Sequence, residues 1–146
     1  MCGIFALLNT QPNETEKNII ESEFNKSKNR GPEFSTITYD YHKMVLGFHR
    51  LAINGLNIKS NQPLIYNNII LICNGEIYNY VSLYDSINVK PTTDSDCEII
   101  IHMYLKYGIE QTLIMLDGVY SFVLYDNNTN HVYVARDPFG VVSLYI

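Results

Sequence analysis

A cysteine stands directly behind the initiator methionine, and a hydrophobic run, GIFALL, follows it directly. A thiol at position 2 is awkward as plain structure, because chain ends fray unless something ties them down. Its chemical use is different. Once Met1 is removed, Cys2 carries a thiol and a free α-amino group on one residue, and an amine that titrates near pH ~8 can serve as the thiol's own base. Cys73 and Cys97 make the cysteine count odd, no CxxC is present, and both are expected as reduced thiols packed in the interior. His42, His49, His102 and His131 form no HxxxH or HExxH pair. No metal site and no cofactor are expected.

Composition narrows the setting for such a nucleophile. The 146 residues suffice for one domain with a core, and 47% hydrophobic residues with a mean hydropathy of -0.05 describe a globular chain. A formal net charge of -5 with scattered Lys and Arg argues against nucleic-acid and anionic-membrane binding. No apolar run reaches the roughly 18 residues of a membrane span, and no basic n-region precedes GIFALL, so the expected location is cytoplasmic.

The elements that must position Cys2 are legible in outline. CGIFALLN reads as a buried strand over residues 2–9, QPNE as a turn, and Glu14 to about Lys28 as an amphipathic helix with Ile20 and Phe24 on one face. STITYDYHKMVLGFHR reads as a hairpin turning around Asp40 to His42, IILICNG as an apolar strand running into Asn-Gly, and Ile77 to about Asp85 as a short helix. In TTDSDCEIIIHMYLKYG, Ser95 and Glu98 match the S-x-x-E capping box, with Ile100, Tyr104 and Tyr107 at helical spacing and a stop at Gly108. IEQTLIMLDG is a second helix, VYSFVLYD and HVYVARD form a hairpin across DNNTNH, and VVSLYI is a last strand. Strands, then helices, then strands predict antiparallel sheets covered by helices, an α+β class.

Seven short stretches follow one another along this outline: Cys2-Gly3-Ile4, Arg30-Gly31-Pro32, His49 to Ile53, Gln62-Pro63-Leu64, Asn74 to Asn79, Thr93 to Asp96 and Arg136 to Gly140. Their order and spacing resemble the class II glutamine amidotransferase domain, most nearly the amino-terminal glutaminase domain of glutamine-dependent asparagine synthetase, from residue 2 to about residue 145. The resemblance implies an N-terminal-nucleophile hydrolase fold, a four-layer αββα sandwich. It also implies hydrolysis of the L-glutamine side-chain amide to glutamate and ammonia, with the whole of 1–146 as the glutaminase domain. The chain differs from the family's usual pattern at His49, at NGLNIKS, at Glu33 and at VVSLYI.

Cys2 would attack the amide carbon, with its α-amine taking and returning the proton, to give a γ-glutamyl thioester that water cleaves. The oxyanion needs fixed donors, which Asn74 and Gly75 can supply from a side-chain N–H and a backbone N–H if the strand turns there; Asn-Gly is equally the signature of a hairpin turn. The resemblance gives Arg50 the substrate carboxylate and Glu76 and Asp96 the ammonium, while Asp96 behind Ser95 also suits a helix dipole. Arg30-Gly31-Pro32 and Asp137-Pro138-Phe139-Gly140 read first as turns and second as loops bordering a pocket; Tyr78 and Asn79 could wall the site, but an aromatic at 78 reads first as core.

The synthetase half, with its serine-glycine-glycine loop, is absent from these residues, and VVSLYI stands where the family's glutaminase domain continues into further strands. An open sheet edge there predicts a homodimer or pairing with a separate synthetase-like subunit. The rival to the enzyme is a catalytically silent, glutaminase-like binding or regulatory module.

Overall fold

The structure, a computed structural model, describes residues 1–41 and 43–146. The chain divides into two compact units, Met1–Ala52 and Ile53–Ile146.

The first unit is a three-stranded antiparallel sheet in the order β1-β3-β2, formed by β1 (Gly3–Leu7), β2 (Phe34–Tyr41) and β3 (Met44–Arg50), with one helix, α1 (Glu14–Asn25). The expected hairpin is the pair β2–β3, and the His42 part of its turn lies outside the described residues. Helix α1 starts where the chain supplies a reciprocal cap: Asn13 Oδ1 accepts from Glu16 N at 3.0 Å and Asn13 N donates to Glu16 Oε2 at 2.8 Å. It ends at Asn25 rather than Lys28, and residues 28–30 tighten into a 3-10 turn. Phe24 is the buried residue of α1, and its ring lies so close over Gly47 that a Cβ there would meet it at 2.6 Å. Every residue of β3 is buried.

In the second unit, β4 (Leu64–Tyr66), β5 (Ile69–Ile77), β6 (Gly118–Asp126) and β7 (His131–Arg136) make an antiparallel sheet in chain order, with helices α2 (Tyr80–Ile87) and α3 (Ile99–Met115). Alternation along β5 sorts its side chains. Ile69, Leu71, Cys73 and Ile77 join Tyr120, Phe122 and Leu124 in a core completed by Leu83, Ile87, Ile99, Ile100, Ile101 and Met103 from the helical segments. Ile70, Ile72 and Asn74, on the opposite face, are buried as well. A strand enclosed on both faces reads as a continuous apolar run, which is what IILIC is.

Four expectations are corrected here. The strand does not end at Asn74-Gly75: β5 runs on to Ile77 in register with β6, so the following helix begins at Tyr80 rather than Ile77. The capping box of Ser95 and Glu98 does not form, because Glu98 turns its carboxylate to Thr92, Thr93 and His102, and residues 96–98 make a 3-10 turn ahead of α3. VVSLYI is not a strand. Tyr78 is 56% exposed rather than core. The break at Gly108 stands: its φ of 77° and ψ of 173° interrupt α3, dividing it into the two helical stretches expected. Cys73 and Cys97 are buried thiols. Among the described residues no helix is long and apolar enough to cross a membrane.

Candidate active site

In the first unit the structure brings Cys2 and Arg50 together. Gly3 pairs with His49 in the β1–β3 ladder, which draws the chain end alongside the end of β3. The Cys2 thiol then meets the Leu51 peptide: Leu51 N donates to Sγ at 3.4 Å, and Sγ lies 3.5 Å from Leu51 O. The Cys2 carbonyl accepts from Arg30 Nε at 3.1 Å, so the terminus is held from both sides.

Arg30-Gly31-Pro32 therefore borders Cys2 and is more than a turn. Gly31 lies on the β3 backbone, where a Cβ would come within 2.4 Å of His49 C and O, and Pro32 bridges to Arg50. Glu33 closes the same corner, donating N–H to Arg50 O at 3.2 Å and accepting from Ala52 N at 2.8 Å. Arg50 is 7% exposed. His49, fully buried, serves the scaffold. Its Nε2 lies 2.9 Å from the Phe24 carbonyl, which can only accept, so Nε2 carries the proton and Nδ1 accepts from Ser35 Oγ at 2.7 Å. The ring also stacks on Phe24 at 3.8 Å between centroids.

The second unit holds Asn74, Gly75, Glu76 and Asp96 together. Gly75 is required by a close approach: a Cβ there would meet Val119 O at 2.2 Å and Tyr120 Cα at 2.5 Å. Asp96 is 5% exposed and accepts from Ile77 N at 2.7 Å. Burial raises its pKa above the ordinary carboxylate value, against the opposing hydrogen bonds from Ile77 and Asn54 and with a smaller push upward from Glu76. An incoming cation would favour the ionised form. Glu76 is exposed beside it.

Two supports were not read as such in the sequence. Gln62 spans the Cys73 peptide group, its Oε1 accepting from Cys73 N at 2.5 Å and its Nε2 donating to Cys73 O at 3.0 Å, and so fixes the strand one residue before Asn74. The signal was the Gln-Pro-Leu string, whose role lies in a contact that local pattern does not carry. Asp137, 1% exposed, accepts from Phe139 N, Val141 N and Val142 N at 3.0 Å each, which makes the ARDPFG segment a rigid turn. Burial works to raise its pKa, and the backbone N–H groups outweigh it and hold it below the usual range.

Glu98 is a further buried carboxylate beside the site segment. It accepts from Thr92 N and Oγ1, Thr93 N and Oγ1, and His102 Nε2, all within 3.0 Å. It lines a cavity of about 180 Å³ with Lys59, Tyr66, Thr92 and Thr93, a space that contains none of the predicted site residues.

Residues 1–146 match the family model described as a glutamine amidotransferase domain. The chain is 40% identical over 150 residues to asparagine synthetase [glutamine-hydrolyzing] 1 of Arabidopsis thaliana and 41% identical over 150 residues to asparagine synthetase [glutamine-hydrolyzing] of Triphysaria versicolor. It is 40% identical over 152 residues to the like-named protein of Sandersonia aurantiaca. Each match covers 100% of this chain and 25%, 25% and 28% of those proteins respectively, so the chain spans about a quarter of their length.

Proposed function

Because the chain belongs to the class II glutamine amidotransferase domain family, we propose that it hydrolyses the side-chain amide of L-glutamine to glutamate and ammonia through a thioester on Cys2. The observation that carries this reading is the Cys2 thiol beside the Leu51 peptide, next in sequence to Arg50, in a chain that matches the family along its length. With Met1 removed, the α-amine of Cys2 takes the thiol proton as sulfur attacks the amide carbon. The C–N bond then breaks, the proton returns to the departing nitrogen as ammonia, and water cleaves the thioester to glutamate. Asn74 Nδ2 and Gly75 N stabilise the oxyanion, Arg50 takes the α-carboxylate, and Asp96 with Glu76 takes the ammonium. The family implies the N-terminal-nucleophile hydrolase fold, a four-layer αββα sandwich, for this chemistry. The names of the relatives suggest that the ammonia serves asparagine synthesis, the acceptor chemistry lying on a further segment or a separate subunit.

A second reading follows from Met1. While it remains attached, the nitrogen of Cys2 is an amide without basicity, and the chain is a silent glutaminase-like module that binds glutamine without turnover. The test is ammonia release from glutamine by protein whose Met1 has been removed, confirmed by intact mass, beside Cys2→Ala. Activity and alkylation of Cys2 by a glutamine-like electrophile are expected only in the former. Equal hydrolysis by Cys2→Ala would remove the mechanism.

A further inference from the structure

Two buried side-chain atoms near the candidate oxyanion donors have no hydrogen-bond partner among the described residues: Asn74 Oδ1 and Ser121 Oγ. Asn74 is 4% and Ser121 1% exposed, so water does not freely substitute for the missing partners. They are also direct neighbours, since Asn74 on β5 pairs with Ser121 on β6. Residues directly opposite in an antiparallel pair project from the same face with Cβ atoms about 4.5–5.5 Å apart, within the combined reach of a hydroxyl and a carboxamide. One of the two atoms is an acceptor only, and the other carries a proton and can turn about χ1.

We infer that Ser121 is a positioning residue for Asn74. In the working protein its hydroxyl donates to Asn74 Oδ1, which fixes the carboxamide with Nδ2 directed at the oxygen that becomes negative. The chemistry favours this arrangement for a simple reason. A carboxamide has a donor end and an acceptor end, and a half-turn about its last bond would present oxygen to an oxyanion, replacing stabilisation by repulsion. A donor placed on the acceptor end forbids that half-turn. Serine at 121 fits between the constraints of its strand: Tyr120 and Phe122 belong to the helix-covered core, and Ser121 alone of the three shares Asn74's face.

The inference rests on the glutaminase reading for its kinetic consequence, and its test separates the two. In Met1-free protein, Ser121→Ala should lower kcat for glutamine about tenfold with KM little changed, as expected for loss of one hydrogen bond felt mainly in the transition state. In an Asn74→Ala background the same substitution should change kcat less than twofold. Additive losses in the double variant would overturn the inference. The second measurement needs no activity: the Asn74 side-chain amide signals, assigned by nuclear magnetic resonance through their loss in Asn74→Ala, should move in Ser121→Ala. If they do not, Ser121 does not hold Asn74. Absence of ammonia from the parent protein would count against the glutaminase reading, and the resonance measurement would then decide the Ser121 contact by itself.

Discussion

At the scale of single residues, the proposed chemistry gives each group one task, and substitutions should separate those tasks. Loss of an oxyanion donor acts on the transition state, whereas loss of a carboxylate partner acts on binding. Asn74→Ala should therefore lower kcat by roughly 10²-fold or more, while Arg50→Ala should chiefly raise KM. Steady-state kinetics beside melting curves would check this, and equal losses of both parameters with matching falls in Tm would mean that both residues are structural. Cys2, Arg50, Asn74, Gly75, Glu76 and Asp96 were readable as candidates because ordered short strings carried them. The supports were not. Gln62 acts on Cys73 across the β4–β5 edge, and His49 acts through Phe24 and Ser35, contacts that depend on register rather than on neighbours in sequence.

Among the elements, the least legible was the approach to α3. The string SDCE has the composition of a capping box, yet Glu98 satisfies the Thr92 and Thr93 backbone and hydroxyl donors together with His102. Donors four to six residues away displace the cap, and the first turn tightens to a 3-10 geometry. This arrangement sets a pH dependence. Burial acts to raise the Glu98 pKa, and the hydrogen bonds from His102, Thr92 and Thr93 bring it from the ordinary 4.5 down to about 2. A carboxyl whose pKa is lower in the folded state stabilises the fold fully above its unfolded pKa, and that contribution is lost as pH falls from about 4.5 to about 2. The shift corresponds to about 3 kcal/mol. Glu98→Gln should flatten the fall of Tm with acid over that window and lower Tm near neutrality by about 10 °C, because an amide N–H₂ would face donors. Thermal melts from pH 2 to 7 would check it; a parallel acid profile in the variant would assign the dependence to other carboxylates. The other helices and the longer strands were marked by periodicity and by Gly108, whereas the three-residue β4 was not read and VVSLYI was read as a strand that it does not form. The error at Asn74-Gly75 arose because Asn-Gly is a turn signal, whereas here glycine answers the closeness of the β6 backbone.

For the whole molecule, the expectation of a dimer or a separate partner subunit came from VVSLYI standing where the family's domain continues into further strands, and residues 141–146 form no strand. The edges that do exist in the second sheet are β4, three residues long, and β7, which carries His131 and Arg136 at its ends. A short strand and terminal cationic or polar groups are features that discourage pairing with another chain. Light scattering over a hundredfold dilution tests the expected dimer: a mass near twice the 16.8 kDa chain mass would bear it out, and the chain mass throughout would overturn it. The brevity of β4 has another consequence. Its pairing toward Asn74 is continued by the Gln62 carboxamide, which bonds Cys73 as a peptide group of a longer strand would. A side chain that stands in for main chain frees the preceding backbone from the ladder. Residues 53–61 thus carry no rung of the ladder, so the alignment of β5 does not depend on NGLNIKS, whose Asn54, Asn57 and Ser60 bond Asp96 and Asp94 instead.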